Sequence, residues 1–97
     1  MPEYVRVATF EADEAALDAL VREISSHDGP PEGVPGKSIM VGVDRSAGKV
    51  RVVVRFGSED DLRKGSATLD AMNPPDEASM RRISVETYEI VLERQAP

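Results

Sequence analysis

A chain of 97 residues with one histidine, no cysteine and no tryptophan can build chemistry from only a few side chains. His27 precedes Asp28, and an imidazole that titrates near neutral pH is suited to general-base work at a cavity mouth. The plainer reading of His27 is an exposed loop imidazole. Asn73, the only asparagine, precedes Pro74 and Pro75 and either caps a helix C-terminus or orients a ligand with its amide. Tyr4 and Tyr88 carry phenols that read first as half-buried strand residues with the hydroxyl in water. Glu59, Asp60 and Asp61 stand in a row, as negative charge for a helix N-terminus or as a weak divalent-cation collector. Without thiolates or a histidine pair, no metal site or cofactor is expected.

Gly65-Ser66 is the most suggestive local feature. On a helical stripe running Leu62, Gly65 or Ser66, Leu69 and Met72, the second rung has almost no side chain, although glycine costs about 1 kcal/mol in a helix interior. Either the backbone packs closely on a valine-rich sheet there, or the gap is the wall of a small-molecule pocket. Such a pocket takes Phe56, Ser66, Leu69, Met72, Asn73 and Tyr88 as its lining, with His27 as a further candidate. It would suit an apolar or aromatic molecule.

The elements that must position these groups follow from periodicity. Tyr4 to Phe10 alternates with period two, as a strand does. Asp13 is a suitable N-cap, and Leu17, Leu20, Val21 and Ile24 form the apolar stripe of a helix of about three turns. Ser25 to Gly36 holds three prolines and three glycines and reads as a long surface loop. Lys37 to Asp44 and Lys49 to Phe56 alternate in phase about a turn at Gly48, a hairpin. Ser58 with Asp61 resembles a capping box that opens a second helix, and Asn73-Pro74-Pro75 ends it. Arg82 to Glu93 is a last strand with one extra residue near Glu86 or Thr87, a bulge or a change of face midway.

The order β-α-β-β-α-β predicts an α+β, ferredoxin-like fold in one domain over residues 1–97: a four-stranded antiparallel sheet with two helices on one face. The expected helix-facing set is Val5, Val7, Ile39, Val41, Val43, Val52, Val54, Ile83 and Val85. The opposite face then takes Arg6, Ala8, Phe10, Met40, Gly42, Arg51, Val53, Arg55, Ser84 and Glu86. Two such faces stacked about a twofold axis would cover Phe10, Met40 and Val53, so a homodimer through stacked sheet faces is expected. On a wet face, the arginines would instead meet Glu86 or Glu89 across strands.

Val34 to Asp44, the Gly48 hairpin, Phe56 to Leu62 and Ser84 to Ile90 together resemble the dimeric α+β barrel superfamily. Within it they are most similar to small proteins of the antibiotic biosynthesis monooxygenase type. The resemblance implies a homodimer with a cavity in each subunit between sheet and helices, used in some members for cofactor-independent oxygenation and in others for haem degradation. Active members resemble one another in a Trp, an Asn and a Tyr or His around the cavity. This chain has no Trp, so a non-catalytic ligand binder is expected ahead of a cofactor-independent monooxygenase or isomerase acting on an aromatic polyketide-like substrate.

The net charge of -6 argues against binding to phosphate backbones, and the third strand lacks the glycine-aromatic pattern of RNA-recognition modules. No apolar run approaches the roughly 20 residues of a membrane span. Patterned sequence begins at Tyr4, so a cytoplasmic protein without a leader is expected, with no nucleic-acid or membrane partner.

Overall fold

The computed structural model describes residues 2–71 and 80–96. Its elements run β1 (Glu3–Ala12), α1 (Glu14–Ser25), β2 (Gly36–Asp44), β3 (Lys49–Phe56), α2 (Glu59–Ala71) and β4 (Met80–Ile90). The strands make one antiparallel sheet in the order β2-β3-β1-β4, with both hairpin partners and termini placed as a ferredoxin-like fold requires.

Local signals account for the element ends. The Asp13 carboxylate accepts from the Ala16 N–H at 2.8 Å, and the Ser58 hydroxyl accepts from the Asp61 N–H at 3.1 Å, so each helix has an N-cap. Gly48 turns the β2–β3 hairpin at φ 65°, and its carbonyl accepts the Ala12 N–H at 2.8 Å.

The core forms two clusters on one side of the sheet. Under α1, Leu17 packs on Ala8, Phe10 and Val50; under α2, Leu62 packs on Val34, Val54 and Phe56. Val52, only partly buried, touches both. Residues opposite each other in register share a face, so both clusters lie on the face of Ala8, Phe10, Val50, Val54 and Phe56. Both helices therefore cover the same face.

This corrects the parity expected for β1. Arg6, Ala8 and Phe10 face the helices, aligned with Val54, Val52 and Val50, whereas Val5 and Val7 lie opposite Arg55 and Val53 on the open face. Either parity of β1 offers apolar residues, and pairing with β3 decides between them. The bulge is also displaced: the register shifts between Thr9 and Phe10, which pair with Ser84 and Arg82, so the unpaired residue is Ile83. Ile83 is thus exposed, while Val85 stays against the α1 cluster. Nor is the 25–36 segment simply a surface loop. Val34 is buried against the α2 cluster, and the Gly33 carbonyl accepts the Thr68 hydroxyl at 3.1 Å.

Candidate functional site

The expected pocket residues separate into three places. Phe56 and Leu69 share the α2 cluster, with half-buried Ser66 on the same helix. Tyr88 pairs with Val5 and lies on the open face, so the sheet stands between it and Phe56; the bulge at Ile83 fixes that parity. His27 is exposed just after α1. Met72 and Asn73 lie outside the described residues. His27 and Tyr88 thus do not converge on a common point.

The gap at Gly65 is filled. Phe56 is fully buried, and a Cβ added at Gly65 would lie inside the contact distance of its Cε1 and 2.7 Å from its Cζ. Close packing of the ring on the helix backbone is therefore what the missing side chain permits. The acidic run at the start of α2 is held by local partners: Glu59 accepts from Tyr4 at 3.2 Å and Arg63 at 3.1 Å, and Asp60 pairs with Lys64 at 3.1 Å. Among the described residues no group of three His, Cys, Asp or Glu is placed to hold a metal ion.

An ionic cluster that the residue pattern did not reveal lies on the helix side. Arg6 is 4% exposed, and its Nη2 donates to Asp70 Oδ1 at 2.8 Å; Arg82 Nη1 donates to the same oxygen at 2.7 Å. Asp70, in the last turn of α2, is 54% exposed. Arg6 Nε is buried and finds no acceptor among the described residues. Burial lowers the Arg6 pKa against the opposing pull of Asp70, and the Arg82 hydrogen bond is the main cause of a lowered Asp70 pKa.

That direction fixes a pH dependence. The folded pKa of Asp70 is depressed, so its contribution is complete above the ordinary value of about 3.9 and is lost as pH falls through the lower folded value. A carboxyl-carbon NMR titration is expected to place the Asp70 midpoint below about 3.9, and Asp70→Asn should flatten the acid limb of the stability profile. A midpoint at or above the ordinary value would contradict this geometry.

The open face has an apolar middle and charged margins. Met40, Val53 and Val7 stand side by side across β2, β3 and β1, with Val5 and Ile90 nearby and Met40 65% exposed. At one margin Arg55 is bound by Glu3 and Glu93, and Lys37 bonds Glu3 at 2.6 Å. The Glu93 and Glu3 hydrogen bonds raise the Arg55 pKa, while those of Lys37 and Arg55 lower that of Glu3. At the other margin Arg81 meets Glu11 at 2.6 Å. Glu86 accepts the Tyr88 hydroxyl at 2.7 Å, which raises the Tyr88 pKa. Arg51 and Glu86 form no ion pair with another described residue, so the cross-strand pairing of arginines with Glu86 or Glu89 does not occur.

No protein-family model, curated protein or solved structure matches the chain. The α+β, ferredoxin-like class rests on the strand order and helix placement above. No helix among the described residues is long and apolar enough to cross a membrane.

Proposed function

We propose that the protein is a homodimer whose open sheet faces stack into a dimeric α+β barrel, each subunit binding a small apolar or aromatic molecule on the helix side of its sheet. The observation that carries this reading is the apolar row of exposed Met40 with half-buried Val53 and Val7, in the middle of a sheet face that neither described helix covers. A second copy supplies the same apolar row, and its Glu86 offers a counter-charge for Arg51. The ligand reading is supported by the division of the described core into two clusters, one under each helix, that share Val52; the boundary between them is the seam where a ligand would lie. No described pair of groups favours oxygenase chemistry over binding.

Light scattering tests the assembly directly. The expected mass is twice the 10.5 kDa of the chain. A 10.5 kDa particle at every accessible concentration would overturn the stacked-sheet reading.

A further inference from the structure

Arg6 is an unusual occupant of the interior. A buried guanidinium has five N–H donors and is stable in a low-dielectric setting when those donors are met by anionic acceptors. Here Nη2 reaches one carboxylate oxygen, that oxygen is shared with Arg82, and Nε has no acceptor among the described residues. Two positive charges thus converge on one negative charge, and the negative partner is the more exposed member of the Arg6–Asp70 pair.

The surroundings favour an organic anion. Next to Arg6 in register, on the same face, are Val54 and the exposed Thr87; two residues along β1, Ala8 pairs with half-buried Val85. Leu69 precedes Asp70 and packs on the α2 cluster. Apolar and cationic surfaces therefore adjoin at the α2–β4 side of the seam. A planar carboxylate can take Nε and a terminal nitrogen of one arginine as two parallel hydrogen bonds, a match a neutral amide cannot reproduce.

We propose that Arg6 and Arg82 are the anion end of the ligand site and bind the carboxylate of a small organic acid, which displaces Asp70 from Arg6 while the apolar body lies against Val85 and Leu69. This rests on the reading of the seam as a ligand site and narrows its ligand from any apolar molecule to an apolar acid. Asp70 acts as an internal competitor, so its removal should strengthen binding even as it weakens the unliganded fold.

The test uses the full-length chain with benzoate and octanoate, each beside its neutral amide, at matched ionic strength. Binding is followed by thermal shift and by the Nε–Hε NMR resonance of Arg6. The acids are expected to move that resonance and to bind about tenfold or more tightly than the amides, as charge-assisted hydrogen bonds require. Arg82→Gln should weaken acid binding about tenfold, and Asp70→Asn should strengthen it by a similar factor. If amides and acids bind alike, the seam is a ligand site but its anion end is refuted. Acid binding that leaves the Arg6 resonance unmoved, or Asp70→Asn binding more weakly, refutes it as well. If neither acids nor amides bind, the ligand-site reading falls with it.

Discussion

Gly65→Ala is expected to destabilise the protein by about 2 kcal/mol, the reverse of what helix propensity gives. In an open helix the change would stabilise by about 1 kcal/mol. Here the new Cβ would lie 2.7 Å from Phe56 Cζ and 3.3 Å from Val34 Cγ1, against a comfortable carbon-carbon separation of about 3.5–4.0 Å. Overpacking of this kind costs about 1–3 kcal/mol, and a fully buried ring has little freedom to retreat, which places the cost at the upper end. Phe56→Ala should itself cost about 3–5 kcal/mol through lost burial and a residual cavity. The pair is coupled: with Phe56 shortened to alanine, Gly65→Ala should become neutral or stabilising. Urea denaturation of the two single variants and the double variant, at one fixed protein concentration, measures that coupling. Additive costs would show that the ring does not press on the helix backbone.

The elements were legible in the sequence because each has a local cause. Asp13 and Ser58 cap, Gly48 turns, and the valines of β3 alternate, and all of these appear as expected. Facing was less legible where local patterns tie. In β1, Val5 and Val7 compete with Ala8 and Phe10, and a lone arginine among the latter reads as a sign of solvent. The structure resolves the tie through long-range pairs: Phe10 against Val50, Ala8 against Val52, and Arg6 neutralised by Asp70, which is 64 residues away. No local rule connects those partners. The one available clue was that Arg6 shares its parity with Phe10, an aromatic side chain that a domain of this size rarely leaves uncovered.

Tyr88 stands apart from Phe56 and Leu69 for the same reason. A helix stripe and a strand register are each readable alone, but whether Tyr88 joins Phe56 depends on where the bulge falls in β4. Moving it from 86–87 to Ile83 leaves Tyr88 on the face opposite Phe56. The gap at Gly65 could be read as a feature, but its filling by Phe56 requires knowing that the end of β3 lies beneath the middle of α2.

Val53→Arg is expected to convert the proposed dimer to a monomer with little loss of subunit stability. Arginine is the informative choice because Arg51, which forms no ion pair with another described residue, lies two residues away on the same face and would neutralise an introduced carboxylate. In a lone subunit Val53 is half-buried at the surface, where a long side chain can lay its stem on Met40 and Val7 and keep its charge in water. In a stacked pair the twofold axis doubles the change, placing two additional guanidiniums in an apolar contact already bordered by arginines. An uncompensated buried charge costs about 3–5 kcal/mol, so the two copies together oppose association by about 6 kcal/mol or more. That corresponds to a dissociation constant weakened by roughly four orders of magnitude. Light scattering should then give the single-chain mass of 10.5 kDa, with far-UV circular dichroism unchanged. Ala67→Arg, on the exposed side of α2, should keep the mass of the parent protein. If Val53→Arg remained dimeric, the contact would have to lie elsewhere on the molecule, and the apolar row would need a different partner.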